Sequence, residues 1–580
     1  MSSRQLITFT LVALTLLLNG CASNVNLAKN LSEQASVSPE EGILVARVIN
    51  TTGYRLPFNQ LFFDPKDVNA SKEIKTILAY SENKPIGDST LFAVSLPPGE
   101  YSLSTIRSII FRGEGYYTRG MPVAPEFGVF DVKAGAVTDL GTIIYYAKPS
   151  DGMYKDIAIR LPDSAKGEVL TEYFPKYATT QNNILTWQAD ERDEQRFAQY
   201  ASAAQNPISY SSEIMAPDGS LYFLGKLGVL LRYSPDDGFE TLAVDTDLQL
   251  NAFAQNDNGV RVVGGYESAL FLQTDDADWQ PLTLPKNATV QHISFYQENQ
   301  FDVVYNTEEH VFVARYDVED ASMSTVLNTF RYLDGWEYST DEVNPKAKPP
   351  KARNIKSVWI TDAEGQKRLN ISGYTKGQWN YFDSTDEKTF RFNEDSWEMS
   401  SASNDQEMTS VLNAGAVQLG IKEAGFWSWT GNPSYFIRPA RTADWQEVST
   451  SIYACGEGQV KRANNMCSDG EKNVKAKRDS FSFISRPWFW DETNGLAIVN
   501  FSSYDFWTSQ TSSEKKIILT SDAGLTWEYS ELTLPEAYCS GIVGDVKDRI
   551  LLTCNGATSD FYESTDKAVT WQHIRQQQDF

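Results

Sequence analysis

Short apolar runs broken by turn residues recur along most of the chain and predict a protein built mainly of strands. Between residues 43 and 147, ILVARVIN, LFAVSL, EYSLSTI, FGVFDVK and GTIIYY are strand-length runs rich in Val, Ile, Tyr and Phe. They predict a small β-sandwich over 43–148. The pattern changes around Asp190–Ala204, where Phe197, Tyr200 and Ala201 recur at i, i+3, i+4 and predict a helix with a narrow apolar stripe. Residues 149–205 therefore read as a short, partly helical connector. Residues 22–41 are polar and aperiodic, as in a flexible tether.

From 206 to the end a motif repeats. Its clearest copy is Thr520-Ser521-Asp522-Ala523-Gly524-Leu525-Thr526-Trp527, and a second is Ser564-Thr565-Asp566-Lys567-Ala568-Val569-Thr570-Trp571, with Ala568 in the Gly524 place. Weaker echoes lie at Leu231–Phe239, Leu272–Trp279, Asp383–Asp386 and Arg441–Trp445. Hydroxyl and carboxylate oxygens can accept backbone N–H groups across a tight turn, Gly supplies φ > 0, and Trp packs between sheets. Ala568 predicts a strained or altered turn. The pattern resembles the Asp-box of sialidase-type and related β-propellers, whose turns lie at the blade periphery. That resemblance implies a structural role for Thr520, Asp522, Gly524, Trp527, Ser564, Asp566 and Trp571. Phe489-Trp490-Asp491-Glu492-Thr493-Asn494-Gly495-Leu496-Ala497 resembles a strand-turn-strand of photosystem-II-assembly-factor-type and sortilin-type propellers, with echoes at Phe253–Gly265 and Ile293–Asn306. Phe239 and Trp279 are 40 residues apart and Trp527 and Trp571 are 44 apart, the length of one four-stranded blade. At that spacing the 375 residues from 206 to 580 hold roughly seven blades, six and eight being the alternatives.

Two other motifs bear on architecture and address. Leu96-Pro97-Pro98-Gly99-Glu100-Tyr101 resembles the turn signature of carboxypeptidase-regulatory-like and prealbumin-type sandwiches, and is expected to close a hairpin with Gly99 at φ > 0. The resemblance implies a spacer or interaction module. At the N-terminus, Arg4 precedes an apolar run from Leu6 to Leu18, too short to span a bilayer stably, and then Leu18-Asn19-Gly20-Cys21. This resembles the bacterial lipobox, which implies a signal peptide over 1–20, acylation (palmitate-type chains) of Cys21 and a lipidated tether over 21–42. Two or more acyl chains anchor stably. Ala22 after the cysteine implies sorting to the outer membrane, facing the periplasm or the cell surface.

The fold expected is thus all-β, a small β-sandwich followed by a roughly seven-bladed propeller over 206–580, with the short helical connector between. Charge narrows its partners. The chain carries 51 Lys and Arg against 76 Asp and Glu, a net −25 that becomes −26 when residues 1–20 leave with Arg4. Such a surface repels phosphate backbones, and no basic cluster is expected to offset it, so nucleic acid is not expected as a partner. The membrane is expected to be met only through the lipid. Three scattered histidines, His292, His310 and His573, offer no metal site or His-based triad, and no cofactor is expected. Cys455 with Cys467, and Cys539 with Cys554, are spaced 12 and 15 residues apart and predict two local disulfides in an oxidising compartment. Each would contribute about 3 kcal/mol in the chain-entropy picture.

No catalytic residue is assigned. A sialidase-type site needs three inward arginines, a Tyr nucleophile with a Glu partner, and an acid Asp. Phe436-Ile437-Arg438-Pro439 is similar to that family's Arg-Ile-Pro only in permuted order and lies mid-propeller. The aromatic clusters Phe426-Trp427-Ser428-Trp429, Trp488-Phe489-Trp490 and Phe506-Trp507 serve core packing on one face. An exposed second face at Trp427 and Trp429 would stack on sugar rings or anchor a protein. The expected function is non-catalytic binding, scaffolding or assembly through the propeller face, with a protein or glycan partner. The alternative is a propeller glycoside hydrolase or lyase acting on polysaccharide. Several converging carboxylates or arginines in the central funnel would favour that alternative, and a shallow apolar or mixed floor would favour binding.

Overall fold

The computed structural model describes residues 25–31, 37–52, 57–66, 76–81, 87–112, 115–150, 153–161, 167–178, 184–206, 210–274, 277–307, 310–330, 354–363, 366–375, 384–393, 396–400, 410–422, 434–439, 444–456, 458–462, 466–505, 510–536, 539, 541–546, 549–554 and 560–575. They fall into two compact units, divided between Ala203 and Ala204.

The first unit is two six-stranded sheets packed face to face. One has the spatial order Val25–Leu27, Thr76–Tyr80, Gln60–Pro65, Gly99–Arg112, Gly115–Pro122, with Val129–Val132 also on Gly99–Arg112. The other runs Met153–Arg160, Val137–Ser150, Gly42–Asn50, Ser89–Leu96, Lys29–Asn30, with Ile184–Leu185 also on Val137–Ser150. Strand alternation sends Leu44, Ala46 and Val48 of one sheet and Leu61, Phe63 and Leu103 of the other into one core with Phe130, Tyr145 and Trp187. The second sheet is also covered behind: Ile43, Val45 and Ala93 pack with Val169 and Leu170 of the helix Glu168–Tyr173. Gly42–Asn50 is accordingly buried at every position, as a doubly covered strand must be.

Three sequence expectations are corrected here. Residues 149–205 do not merely connect. Met153–Arg160 extends the second sheet, Ile184–Leu185 pairs in parallel with Val137–Thr138, and buried Trp187 donates its indole N–H to the Leu140 carbonyl at 2.9 Å. In the helix Asp193–Gln205 the buried residues are Arg196 and Ala203, while Phe197 is 60% exposed. The inward face is set by the Arg196 guanidinium, which donates to Asp190 at 2.7 Å, Asp193 at 2.6 Å and the Glu126 carbonyl at 2.6 Å. The Leu96–Tyr101 turn is not a hairpin. Ser89–Leu96 and Gly99–Arg112 belong to different sheets, so the turn carries the chain across the core. Gly99 is not among the residues with positive φ. The corner is held instead by the buried Tyr101 ring, whose hydroxyl donates to the Pro97 carbonyl at 2.9 Å.

The second unit contains, among the described residues, seven antiparallel sheets of four or five strands in chain order. They span Tyr210–Ala243, Leu250–Pro281, Thr289–Phe330, Asn354–Ser400, Ser410–Glu447, Ser482–Tyr529 and Gly541–Arg575. Neighbours share cores. Tyr222 and Leu230 of the first pack with Phe253 and Val263 of the second, and Val262 and Leu272 of the second with Ile293 and Val303 of the third. Val304 and Val313 of the third meet Leu369 and Phe390 of the fourth. Leu419 and Ile437 of the fifth meet Ala497 and Trp527 of the sixth, and Leu496 and Ile517 of the sixth meet Ile542 and Leu552 of the seventh. The seventh returns to the first through Leu551 and Phe561 against Leu221, Phe223 and Leu231. This is an all-β fold of propeller-like repeats, with side-chain packing joining the sheets at six of seven junctions among the described residues and each sheet using consecutive strands.

Between the fifth and sixth sheets the chain makes an extra arm. Ser451–Ala454 pairs with Lys477–Ser480 at its base, and Val460–Arg462, Met466–Ser468 and Asn473–Lys475 form a three-stranded sheet beyond.

Candidate functional site

The first strands of the first four sheets run beside one another in succession, whereas the fourth strands, such as Gln280–Pro281, Gln446–Glu447 and Glu528–Tyr529, are exposed. First strands therefore face the ring axis and fourth strands its rim. The motif turns fall between third and fourth strands, at the rim. Thr520–Trp527 joins Gln510–Thr520 to Glu528–Tyr529, and Ser564–Trp571 joins Asp560–Ser564 to Gln572–Arg575. The echo at 231–239 occupies the same connection and Ser384–Asp386 belongs instead to the third strand Ser384–Asn393, while Asp275, Asp276, Asp383 and Arg441–Ala443 lie outside the described residues.

Both turns spend their polar atoms on themselves. In the first, Gly524 N–H donates to Thr520 Oγ1 at 2.9 Å, Thr526 N–H to Asp522 Oδ1 at 2.8 Å and Thr526 Oγ1 to Asp522 Oδ2 at 2.6 Å. The second repeats this with Ala568 N–H on Ser564 Oγ at 2.8 Å and Thr570 N–H and Oγ1 on Asp566 at 2.8 and 2.6 Å. The Thr570 hydroxyl holds the Asp566 carboxyl below its ordinary range. Trp527 is buried between the fifth and sixth sheets, while Trp571 is half-buried and donates to the Thr533 carbonyl at 3.2 Å. Of the strained or altered turn expected at Ala568, the bond pattern is unaltered and the strained conformation is present: Ala568 takes φ 70° where Gly524 has 80°.

Asp491 acts the same way in the turn between first and second strands. It accepts the N–H groups of Thr493 at 2.8 Å and Asn494 at 2.7 Å, and these bonds, Asn494 first, hold its carboxyl far down. Trp488 joins the core between the sixth and seventh sheets, with Trp490 packed against it. Cys455–Cys467 and Cys539–Cys554 are both disulfides. Cys21, Trp427, Trp429, Phe506 and Trp507 lie outside the described residues.

A Tyr–Glu–Arg group resembling glycosidase machinery lies elsewhere. Buried Tyr233 donates its hydroxyl to Glu563, which also accepts from Arg549 at 3.0 Å. Tyr233 is on the third strand of the first sheet and Glu563 on the third strand of the seventh, away from the axis. Burial and then the carboxylate push the phenol upward. It ties the closing sheets together across 330 residues, a pairing no local signal announces. The arginines are also engaged. Arg438 donates to Gln418 at 2.6 Å and lies over the Trp445 ring at 4.6 Å, and Arg315 pairs with Asp302 at 2.8 Å beneath Tyr296.

At the axis the first strands carry Glu213, Asp362 and Asp545 as their carboxylates among the described residues. Glu213 is ion-paired with Arg486, which also donates to the Val543 carbonyl at 3.1 Å. Burial pulls that guanidinium down to about 10. Asp362 and Asp545 stand near the hairpin ends of strands three sheets apart. Amides fill other places: Asn251 donates to the Val290 carbonyl at 3.3 Å and Gln291 to Asn306 at 2.7 Å. Among the described side chains this is a mixed polar lining that includes the Glu213–Arg486 ion pair. Sequence reasoning missed Arg486, whose surroundings come from three sheets. No group of three His, Cys, Asp or Glu side chains suited to a metal occurs among the described residues. Nor is any described helix long and apolar enough to cross a membrane.

No known protein family and no curated protein matches this sequence. Among solved structures the chain is similar to YCF48 from Cyanidioschyzon merolae, at 10% identity over 62% of this chain and 96% of that one, TM-score 0.35. It is similar to the β-propeller domain of the trilobed protease from Pyrococcus furiosus, at 8% over 64% and 99%, TM-score 0.34. A third is YCF48 bound to D1 peptide, at 9% over 61% and 91%, TM-score 0.31.

Proposed function

We propose that this chain is a lipid-anchored, non-catalytic recognition protein that holds a protein partner through its propeller unit. Cys21 supplies the anchor at the outer membrane, and the first unit, of carboxypeptidase-regulatory-like type, acts as the spacer. The observation that supports the reading is how the second unit spends its charge among the described residues: Glu213 on an axial strand is ion-paired with Arg486, and the motif carboxylates are bonded within their own turns. The Asp-box turns are rim fasteners with their oxygens already used. Trp427, Trp429 and the Cys455–Cys467 arm are the candidate contact elements.

Metabolic acyl labelling should mark the wild type and not Cys21→Ser; equal labelling ends the anchor claim. For recognition, residues 206–580 should capture the partner that the full chain captures from detergent-solubilised membranes. Residues 22–203, the whole first unit rather than a piece cut inside its sheet, should not. Capture by 22–203 alone inverts the roles. Cleavage of a polysaccharide panel by the purified chain replaces this reading with a hydrolase or lyase.

A further inference from the structure

The acidic balance of the chain is uneven, and the expectation that no basic cluster offsets it is wrong. Residues 460–478 contain six cations, Lys461, Arg462, Lys472, Lys475, Lys477 and Arg478, against two acids, Asp469 and Glu471, in a chain of net charge −25. Averaged over the whole sequence the excess vanishes. In the fold it is concentrated on the arm between the fifth and sixth sheets.

The arm is built to hold a shape. Its base is the pairing of Ser451–Ala454 with Lys477–Ser480, and the Cys455–Cys467 disulfide pins its middle strand to the base, with Cα atoms 5.4 Å apart. Among the described residues, its outer strand Asn473–Lys475 pairs with Met466–Ser468 on one side only. Lys472, Asn473, Val474 and Lys475 are all exposed, and the Lys477 side chain is 78% exposed. Two of the neighbouring acids are bonded locally: Asp469 accepts the N–H groups of Glu471 and Lys472, both at 2.9 Å, and Asp479 accepts the Tyr529 hydroxyl at 2.7 Å and faces Lys477 at 3.0 Å, while Glu471 is exposed beside Lys472.

Lysines on a strand edge ordinarily deter pairing with another copy, and these do so here because two arms of like charge repel. The same charges admit a strand of opposite sign. An open edge offers backbone bonds to an extended chain, Val474 offers an apolar contact, and the lysines select acidic side chains. An anionic glycan or lipid surface would use the charge alone and leave the edge and Val474 idle.

We infer that the arm docks an acidic, extended segment of a protein partner along its Asn473–Lys475 edge. This deepens, and rests on, the reading that the propeller unit carries recognition. The probe is a fluorescein-labelled peptide alternating Asp or Glu with Val, titrated by anisotropy into the full chain. Controls are the same peptide with N-methylated backbone, a sulfated polysaccharide, and phosphatidylcholine vesicles containing phosphatidylglycerol. The plain peptide should bind in a salt-sensitive manner, and Lys472→Glu/Lys475→Glu should weaken it at least about tenfold with unchanged melting, as reversal of edge charges does. Val474→Asp should weaken it as well. Peptide binding unchanged in both variants overturns the site. Equal binding of the N-methylated peptide overturns strand pairing. Binding of polysaccharide or vesicles as tight as the peptide's, and lost in the same variants, overturns the partner class. Loss of the arm proposal leaves recognition standing if residues 206–580 still capture the native partner. Capture by residues 22–203 instead defeats the recognition reading, whatever the peptide does.

Discussion

The turns Thr520–Trp527 and Ser564–Trp571 have one hydrogen-bond skeleton and two different surroundings. Their corresponding bonds agree within 0.1 Å, and both place two successive residues in the left-handed region, Ala523 and Gly524 at φ 61° and 80°, Lys567 and Ala568 at 58° and 70°. The hydroxyl and the carboxylate are therefore sufficient to impose the turn, and glycine is not required for it. What differs is the tryptophan. Trp527 is 1% exposed in a core shared with Val448, Ile437 and Phe489, whereas Trp571 only borders its core. One motif thus fastens every copy, but the energy it secures depends on the neighbouring sheet.

The largest expected contrast follows from this. Trp527→Ala should cost about 3–5 kcal/mol, the range for emptying a large aromatic from a core, and Trp571→Ala clearly less. Urea unfolding of the two variants checks it. Equal losses would show that the turn itself, not the packing, sets the value of the tryptophan. The next effect should be alike in both turns. Asp522→Ala and Asp566→Ala each strip acceptors from a backbone N–H and a threonine hydroxyl and should lower the melting temperature by similar amounts, less than Trp527→Ala does. Partner capture by the folded variants should be unchanged, since these groups lie at the rim. Loss of capture without loss of melting temperature would move the site to these turns.

How far the sequence could be read follows the span of the interactions. The two turns are legible because every bond in them closes within four residues. The disulfides are legible for the same reason, at separations of 12 and 15. Tyr233 with Glu563, and Arg486 with Glu213 and Val543, are not, because only the closed ring brings them together. In the first unit, Gly42–Asn50 was readable as a strand but not as a doubly covered one, since the helix behind it is distant in sequence. Phe197 misled because periodicity counts apolar residues, and the packed face was decided by an arginine with three acceptors. The basic arm was visible residue by residue and lost only in the average.

Acid should distinguish the wild type from a variant at the second turn. The Asp566 carboxyl is held below its ordinary value, chiefly by the Thr570 hydroxyl. A carboxylate lowered by folding contributes stability above its unfolded pKa of about 3.9 and loses it as pH falls through the folded value. Melting temperature should therefore drop below about pH 4, and Asp566→Asn should make that limb shallower. An identical acid limb in the variant would mean that the carboxylate, though bonded, does not couple to unfolding.

The smallest effect is the most discriminating, because it exchanges glycine and alanine at the second left-handed position of the two turns. Putting alanine in place of Gly524 adds about 1–2 kcal/mol of left-handed strain and recovers about 0.4–1 by restricting the unfolded chain. The new Cβ would also stand 3.3 Å from Val448 Cγ1, 3.4 Å from Trp527 and 3.5 Å from Phe489. Gly524→Ala should then destabilise by about 1 kcal/mol. The reverse change is not its mirror image. Ala568 is fully buried, so Ala568→Gly relieves the same strain but gives up about 0.8 kcal/mol of methyl burial and loosens the unfolded chain. Its net effect should lie within about 0.5 kcal/mol of zero. A gain near 1 kcal/mol in Ala568→Gly would show that the second turn is strained and that the buried methyl contributes little. A loss of that size would show that the core beside Trp571 depends on the methyl more than the turn depends on φ.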